Sequence, residues 1–152
     1  MPPIYVISLS LGRSTHRRDL ARSRYDRLGL NFQFYEGFDG PQMKAATRYT
    51  YDVDHPGTNY HIGPATIGLS LSHFGLFKAM DTLEVPEFIV LEDDCYFKDD
   101  FKVEFEKSYK ALPADWEVVY LGYCCHEDKP TYQINDRVSI IRYPFCSHAI
   151  MY

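Results

Sequence analysis

Three adjacent acids, Glu92, Asp93 and Asp94, form the part of this sequence whose residue types and spacing best suit chemistry. Divalent cations such as Mn²⁺ and Mg²⁺ prefer carboxylate oxygens and commonly bridge one or two protein carboxylates to substrate phosphates. In an extended segment, Glu92 and Asp94 point to one side and Asp93 points to the other. This alternation predicts that Asp94 and Glu92 bind a metal ion, while Asp93 contacts another part of the same ligand.

An apolar run at residues 88–91 leads directly into this acidic cluster. The run predicts a buried strand, and in open parallel sheets ligands bind at the carboxyl ends of the strands. Like charges at the mouth of a buried strand repel one another unless a cation neutralises them. The position therefore favours a functional site, although solvated strand ends and helix caps also carry acid clusters.

Five arginines lie within twelve residues near the start of a chain whose net charge is −5. They are Arg13, Arg17, Arg18, Arg22 and Arg24. Guanidinium groups pair well with phosphate oxygens, so this segment predicts a local anion site, with Arg13, Arg17 and Arg18 as candidates, of which the turn position favours Arg13. A solvated basic helix face is the alternative. The acidic chain as a whole argues against a nucleic-acid partner.

Two histidines and a lysine are further candidates. His73 and Lys78 lie on a predicted amphipathic helix. The residue pattern alone favours a hydrogen-bonded helix histidine at His73, and Lys78 is a candidate for neutralising a diphosphate. His148, in the last predicted strand, is a candidate metal ligand or catalytic residue. Each has an ordinary structural alternative: a hydrogen-bonded histidine on a helix or strand, or a lysine on an exposed helix face.

Cys124 and Cys125 precede a histidine and two acids at residues 126–128. Adjacent cysteines rarely both reach one ion, so this segment does not predict a zinc site. The segment follows a predicted strand and is expected at the same sheet edge as the acidic cluster, where an acceptor or a general base could lie. The four cysteines of the chain are predicted to be reduced, small core residues.

The elements that position these residues alternate between strand and helix in a single predicted domain, residues 1–152. Periodicity and turn residues predict strands at 4–9, 31–38, 88–91, 116–122, 138–142 and 147–152, and helices at 16–28, 66–85 and 100–112. Residues 41–64, rich in Pro and Gly, predict a long surface loop that contacts substrate. The alternation predicts an α/β fold with a mostly parallel sheet.

Apolar stripes predict which residues of the helices face the core. In the helix at 66–85 the stripe is Ile67, Leu71, Phe74, Phe77 and Met80. In the helix at 16–28 it is Leu20, Tyr25 and Leu28, and in the helix at 100–112 it is Phe101, Phe105 and Tyr109.

The chain shows neither a signal peptide nor a membrane anchor in its first residues. The N-terminus is apolar but lacks a basic region, and its hydrophobic run is too short to span a bilayer. The sequence therefore predicts a cytoplasmic protein without a membrane span.

Several segments together resemble glycosyltransferase family 25, the group that includes lipopolysaccharide galactosyltransferases and collagen hydroxylysine galactosyltransferases. They are residues 4–9 with the arginine-rich turn at 13–18, Phe-Tyr-Glu-Gly-Phe-Asp-Gly at 34–40, Gly-Leu-Ser-Leu-Ser-His at 68–73, Leu-Glu-Asp-Asp at 91–94 and Cys-Ser-His-Ala at 146–149. Ser8 stands where the family commonly has Asn, and Ile150 stands where it commonly has Tyr.

The resemblance implies a GT-A fold: a Rossmann-type mixed, mostly parallel sheet flanked by helices, here truncated at the C-terminus relative to family members. It implies transfer of a hexose, galactose or glucose, from a UDP-sugar to a saccharide or hydroxyl acceptor, with Mn²⁺ or Mg²⁺ and inversion at the anomeric carbon. The donor-binding candidates are then Ser8, Leu9, Arg13, Arg17, Lys78, Glu92 and Asp93. The catalytic candidates are Asp94, His73 and His148, and the metal ligands are Asp94, Glu92 and His148.

Two other functions are open at this stage. A truncated or degenerate family member would bind a nucleotide-sugar or a partner without turnover. A nucleotidyltransferase would use the same sheet and acids, but it needs a Gly-rich, Lys-containing loop after the first strand, which residues 11–13 do not provide. The exposed edge expected near residues 147–152 also suggests a homo-oligomer as a hypothesis.

Overall fold

The computed structural model describes residues 4–43, 63–123, 132–141 and 147–152. The predicted strands and helices are present there, with boundaries that differ by at most three residues. The strands are β1 (Tyr5–Ser10), β2 (Phe32–Glu36), β3 (Phe88–Glu92), β4 (Val119–Tyr123), β5 (Tyr132–Gln133), β6 (Ser139–Ile140) and β7 (Ser147–Met151). The α-helices are α1 (Thr15–Arg27), α2 (Pro64–Thr82) and α3 (Phe101–Lys110), and a short 3₁₀ helix spans Gly40–Gln42.

Five of the strands form one mixed sheet in the order β2-β1-β3-β7-β4. β1 pairs in parallel with both β2 and β3, whereas β7 is antiparallel to β3 and to β4. Four strands therefore run in one direction and β7 runs in the other, which confirms the predicted mixed, mostly parallel α/β sheet. β5 and β6 pair with each other in a separate hairpin, so the strand predicted at 138–142 does not extend the main sheet.

Different helices cover the two faces of the sheet. On one face Ile89 packs in a core that contains Tyr25 of α1 and residues of α3. On the other face Val90 packs with Leu76 and Met80 of α2. Because successive side chains of a strand alternate between faces, β3 is buried on both sides, as the unbroken apolar run at 88–91 predicts.

The prediction of a helix at α2 is confirmed, but the predicted inward stripe is only partly correct. Met80 is buried, whereas Phe74 is 61% exposed. The other buried residues of α2 are Gly68, Ser72 and Leu76. Small residues occupy this face because the N-terminal half of α2 lies directly on the backbone of the loop that follows β2, where a large side chain does not fit.

In α1, too, a small residue is buried where a larger neighbour was predicted to face the core. Tyr25 is fully buried, as predicted, and Leu28 packs against the same core. Leu20, also predicted to face the core, is 42% exposed, and its neighbour Ala21 is fully buried instead. The small side chain of Ala21 lets α1 lie close to the sheet.

The strand order creates a crevice next to β1. From β1 the chain moves to β2 on one side and later to β3 on the other, and ligands of open α/β sheets bind at such switch points. β7 adds a second feature, because its antiparallel course places its first residues beside the carboxyl end of β3. Leu91 pairs with Ala149, so His148 lies next to Glu92.

Two predicted loops extend beyond the described residues. Of the predicted substrate loop at 41–64, residues 44–62 lie outside them, as do residues 124–131 with the Cys-Cys-His segment. Among the helices that the structure does describe, none has the length and apolar character needed to cross a membrane.

Candidate functional site

A cavity of about 190 Å³ lies in the crevice at the carboxyl ends of β1 and β3. Its lining includes Leu9, Ser10, Arg13, Arg17, Asp39, Leu69, Ser72, Glu92 and Asp93. These residues come from the ends of β1 and β3, the start of α1, the loop after β2 and the N-terminal half of α2. Ligand pockets usually reach roughly 300 Å³ or more, so the described residues form only part of a site for a large ligand.

Asp93 is buried at the end of β3, on the side of the sheet that α1 covers. Its Oδ2 accepts a 2.5 Å hydrogen bond from the hydroxyl of Ser10, and its Oδ1 accepts a hydrogen bond from the guanidinium of Arg17. A buried carboxylate needs such partners, and a charged donor supplies the stronger kind of hydrogen bond. Asp93 therefore connects the ends of β1 and β3 with the first turn of α1.

Glu92, Asp94 and His148, the three predicted metal ligands, lie together. Each offers a ligand atom, and these atoms are all within 4.8 Å of one another. Nδ1 of His148 lies 3.8 Å from a carboxylate oxygen of each acid. The two acids come from alternate positions at the end of β3, and β7 supplies the histidine from the neighbouring strand.

The chemistry of this cluster suits a cation. Burial raises the pKa of Glu92, and the neighbouring carboxylate of Asp94 raises it further, while His148 acts in the opposite direction. A bound cation would offset both the burial and the repulsion between the acids. Two carboxylates with one imidazole form a ligand set that fits Mn²⁺, whereas Mg²⁺ prefers oxygen ligands. These residues therefore fit the metal that the sequence resemblance implies.

Arg17 links the buried acid to the cluster. Besides Asp93, its Nη2 donates a 3.0 Å hydrogen bond to Oδ2 of Asp94. The side chain of Arg17 is 53% exposed and lines the cavity, whereas that of Asp93 is 6% exposed. One guanidinium thus lies between two carboxylates at the opening of the cavity.

Two further residues of α1 hold the backbone at the end of β3. Arg24 donates hydrogen bonds of 3.3 and 3.4 Å to the carbonyl oxygens of Asp93 and Cys95. The hydroxyl of Tyr25 donates a 3.1 Å hydrogen bond to the carbonyl oxygen of Glu92. Arg24 and Tyr25 follow Arg17 by seven and eight residues, so the three side chains share one face of α1. This face contacts both the side chains and the backbone of the acidic segment.

Cys95 holds the start of β7 against the acidic segment. Its thiol donates a 2.6 Å hydrogen bond to the carbonyl oxygen of His148. Burial raises the pKa of Cys95 to about 12, so the sulfur stays protonated and remains a donor. Cys95 is buried and free, which confirms the prediction of a small, reduced core residue at this position.

An ion pair crosses from the loop after β1 to the loop after β2. The guanidinium of Arg13 donates to Asp39 through two nitrogens, the second at 3.2 Å. The amide of Gln42 donates a further 2.7 Å hydrogen bond to the same carboxylate. The hydrogen bond from Arg13 is the main cause that holds the pKa of Asp39 below its usual range. Arg13, an anion-site candidate from the sequence, therefore lies at the cavity with its charge already paired.

The opposite side of the cavity is held by close backbone packing. The Ser72 hydroxyl accepts a 2.7 Å hydrogen bond from the backbone N–H of Phe38 and donates a 2.6 Å bond to the carbonyl oxygen of Gly68. A Cβ on Gly68 would lie 2.5 Å from the carbonyl oxygen of Phe38, and a Cβ on Gly40 would lie 1.7 Å from that of Pro64. Only glycine fits at these two contacts.

Several cavity residues were not among the site residues predicted from the sequence, including Ser10, Asp39 and Ser72. Ser10 directly follows a predicted strand, where Ser is a common turn residue. Asp39 also follows a predicted strand, and it belongs to the segment at 34–40 that resembles the family. Ser72 had a usable signal, because it directly precedes His73 in the Gly-x-x-x-Ser-His segment that resembles the family. The structure shows that the serine of this segment faces the cavity.

The structure separates two predicted donor-binding residues of β1. Leu9 lines the cavity. Ser8 is fully buried on the other face of the strand, and its hydroxyl lies 3.3 Å from that of Tyr25. Ser8 therefore packs against α1 and lies outside the lining of the cavity.

His73 and Lys78 of α2 also lie outside this lining. His73 follows Leu69 by one helical turn, and burial lowers its pKa, which favours a neutral imidazole. Lys78 is exposed, and its ammonium lies 5.6 Å from the ring centre of Phe74. Lys78 is six residues beyond Ser72, about 9 Å along the helix axis and away from the cavity. The structure therefore does not bring Lys78 to the predicted diphosphate site.

Comparison with known proteins gives a consistent family. Residues 1–143 match Glycosyltransferase family 25 (LPS biosynthesis protein). A "Glycosyltransferase 25 family member" of Anopheles gambiae is 32% identical over 130 residues, which are 78% of this chain and 21% of that protein. "Procollagen galactosyltransferase 2" of Mus musculus is 28% identical over 127 residues, 77% of this chain and 20% of that protein.

A third relative carries a different description. The "Probable inactive glycosyltransferase 25 family member 3" of Bos taurus is 24% identical over 126 residues, which are 77% of this chain and 21% of that protein. The chain thus spans about a fifth of the length of these curated relatives. The relatives therefore include one named as a galactosyltransferase and one named as probably inactive.

Proposed function

Because the chain belongs to glycosyltransferase family 25, we propose that it carries the donor site of a transferase that moves a hexose from a UDP-sugar to a saccharide or hydroxyl acceptor. The observation that carries the proposal is the Glu92, Asp94 and His148 cluster beside a cavity lined by Arg13 and Arg17. Both features lie at the switch point of the sheet, where α/β proteins bind ligands.

In this proposal the cluster holds Mn²⁺, with Asp94, Glu92 and His148 as ligands. A bound divalent cation supplies Lewis-acid stabilisation of the charge that develops on the leaving diphosphate. Arg17, at the opening of the cavity, contacts phosphate oxygens through its guanidinium group. Asp93 stays hydrogen-bonded to Ser10 and keeps the end of β3 in place.

The sugar and the stereochemistry are finer parts of the proposal. Galactose is the first donor to test, because one relative is described as a procollagen galactosyltransferase, and glucose is the second. Inversion requires one displacement, in which a base takes the proton of the acceptor hydroxyl. Residues 126–128, outside the described part of the chain, are the base candidates, because they follow β4 in sequence and β4 ends at the same edge of the sheet as β3.

A second candidate function is binding of the nucleotide-sugar without turnover. It is favoured by the similarity to the Bos taurus protein described as probably inactive. The two functions share the donor site and differ in the transfer step. Donor binding therefore tests what they have in common, and release of UDP in the presence of an acceptor distinguishes them.

The proposed donor site is tested by calorimetric titration of UDP, UDP-galactose and UDP-glucose, each with and without Mn²⁺. Wild type is compared with Asp94→Asn, which removes one proposed ligand charge. Asp99→Asn is the matched control, because Asp99 is 89% exposed and pairs only with Arg27 among the contacts described for it. All three proteins are first checked for equal folding by circular dichroism.

We expect wild type and Asp99→Asn to bind UDP in a Mn²⁺-dependent way. Asp94→Asn is expected to lose at least about tenfold in affinity in the presence of Mn²⁺, the size of effect seen when support for a metal ion is removed. If the folded wild type binds no uridine nucleotide, either with or without Mn²⁺, the result contradicts the proposal.

A further inference from the structure

We propose that Arg17 is an exchangeable counter-ion that makes metal binding at the acidic cluster depend on the donor diphosphate. This inference rests on the proposed donor site. Without the nucleotide, Arg17 neutralises Asp93 and Asp94. With the nucleotide, the guanidinium moves to phosphate oxygens and leaves Asp94 to the cation. Arg17 is thus a positioning residue that couples the two ligands.

The first observation is that Asp94 is shared between Arg17 and the cluster. Its Oδ2 accepts the 3.0 Å hydrogen bond from Arg17, while its Oδ1 lies 3.8 Å from Nδ1 of His148. The carboxylate of Asp94 therefore faces both the positive charge of Arg17 and the proposed cation site. Because like charges repel, Arg17 in this position lowers the affinity of the cluster for a divalent cation.

The second observation is that Asp93 keeps a hydrogen-bond donor when Arg17 leaves. The buried partner, Asp93, has a second donor in the Ser10 hydroxyl, 2.5 Å from its Oδ2. Arg17 itself is half exposed and already lines the cavity. A buried carboxylate that loses every hydrogen-bond donor is strongly destabilised, and the remaining hydrogen bond from Ser10 lowers the cost of releasing Arg17.

The third observation distinguishes Arg17 from its neighbours in the arginine-rich segment. Arg13 pairs with Asp39, and Arg18 pairs with Glu36 at 2.7 Å. Both acids belong to the end of β2 and the loop after it, away from the metal cluster. Among the ion pairs of the described residues, Arg17 is the arginine that pairs with the carboxylates of Asp93 and Asp94, so its displacement changes the charge at the cluster itself.

A simpler role for Arg17 predicts a different result. If Arg17 only fixes the acids in place, its removal disorders Asp94 and weakens metal binding in every condition. If Arg17 is an exchangeable counter-ion, its removal strengthens metal binding in the absence of nucleotide. The two roles therefore differ in the sign of one measured effect.

The test measures free Mn²⁺ by electron paramagnetic resonance, in titrations without nucleotide and with saturating UDP. The variant is Arg17→Gln, and Arg17→Met is a second version that keeps the apolar stem. Arg27→Gln is the matched control, because it removes the same charge from the same helix, and Arg27 is 60% exposed and paired with Asp99. Arg17→Lys keeps the charge without the planar fork.

We expect Arg17→Gln or Arg17→Met to bind Mn²⁺ alone about tenfold more tightly than wild type, as removal of a nearby like charge predicts. The factor by which UDP increases the affinity for Mn²⁺ is then about tenfold smaller in these variants than in wild type. Arg17→Lys and Arg27→Gln are expected to stay within about twofold of wild type without nucleotide, since one keeps the charge in place and the other removes a distant, screened charge.

Equal or weaker Mn²⁺ binding in folded Arg17 variants overturns the counter-ion role, even where wild type binds Mn²⁺ and UDP normally. Failure of both Arg17 variants to fold also overturns it, because an exchangeable side chain cannot be essential for folding. A wild type that binds neither Mn²⁺ nor UDP overturns this inference together with the proposed donor site.

Discussion

The two sides of the cavity are held by different interactions. The acid side, formed by Arg17, Glu92, Asp93 and Asp94, depends on ion pairs and charged hydrogen bonds. The glycine side, formed by the loop at 37–40 and the N-terminal half of α2, depends on backbone atoms in direct contact. Charged contacts respond to ligands, salt and pH, whereas contacts between backbones respond to none of these.

This difference suggests a division of roles within the site. Any rearrangement on ligand binding belongs on the acid side, where Arg17 has more than one acceptor. The glycine side supplies a fixed surface against which the ligand is placed. Substitutions on the two sides should therefore differ in the size of their effect on stability and in their response to solution conditions.

The largest effect is expected from Gly68→Ala on the glycine side. Alanine is a better helix former than glycine, but the added Cβ would lie 2.5 Å from the carbonyl oxygen of Phe38 and 2.6 Å from the backbone nitrogen of Gly40. Because both obstacles are backbone atoms, we expect a loss of about 3 kcal/mol in the free energy of unfolding, measured by urea denaturation.

Gly63→Ala is the control for this prediction. Gly63 precedes the same helix, and a Cβ placed there meets no described residue within 4 Å, so we expect a change within about 0.5 kcal/mol. Equal stability of Gly68→Ala and Gly63→Ala would show that α2 does not lie directly on the loop.

A smaller loss is expected from Asp93→Asn on the acid side. The substitution removes a buried charge that accepts hydrogen bonds from Ser10 and Arg17. Hydrogen bonds to charged groups contribute about 1.5–3 kcal/mol, and the exposure of Arg17 reduces this, so we expect a loss of about 1.5 kcal/mol in urea denaturation. Added salt should reduce the difference from wild type, which is not expected for Gly68→Ala.

Asp99→Asn serves again as the reference for a charge removed at the surface. Its ion pair with Arg27 spans 3.3 Å between exposed side chains, so a change below about 0.5 kcal/mol is expected. Should Asp93→Asn behave like Asp99→Asn, Asp93 is not the buried connection described here.

The smallest effect is expected from Arg13→Gln, which removes the ion pair between the two sides. The pKa of Asp39 is lowered in the folded state, chiefly by the hydrogen bond from Arg13. A lowered carboxyl pKa contributes stability above the unfolded value, near 3.9, and this contribution is lost as the pH falls through the folded value. Wild type should therefore be slightly more stable than Arg13→Gln at pH 6, and the difference should disappear as the pH falls through the lowered folded-state pKa of Asp39.

Thermal unfolding of both proteins between pH 6 and pH 2.5 measures this difference. Asp39→Asn in the same series should abolish the pH dependence of the difference, because the titrating partner is gone. A difference that grows as the pH falls would contradict the pairing of Arg13 with Asp39.

Much of the fold could be predicted from the sequence, because local pattern determines it. The apolar run at 88–91 and the periodic helices fix the alternation of strand and helix. The position of β7 could not be predicted, since pairing between Leu91 and Ala149 is a long-range contact without a local signal. The inward face of α2 was partly wrong because hydrophobicity favours Phe74, whereas contact with the loop requires Gly68.

The candidate site followed the same rule. The acids of the 92–94 segment are adjacent in sequence, so their grouping was predictable. Bringing His148 to them depends on β7, and the resemblance to the family, not the residue pattern, pointed to it. The pairing of Arg17 with Asp93 depends on the packing of α1 against β3, and the sequence shows only that an arginine lies in the first turn.

The most direct test of the central claim is where Mn²⁺ binds. In amide NMR spectra of the labelled protein with UDP, Mn²⁺ broadens the signals of nearby residues. We predict that residues 92–95 and 148–149 broaden at the lowest Mn²⁺ additions and more strongly than residues 78–83 at the far end of α2. Strong broadening at the far end of α2, with residues 92–95 unaffected, would contradict a metal site at Glu92, Asp94 and His148.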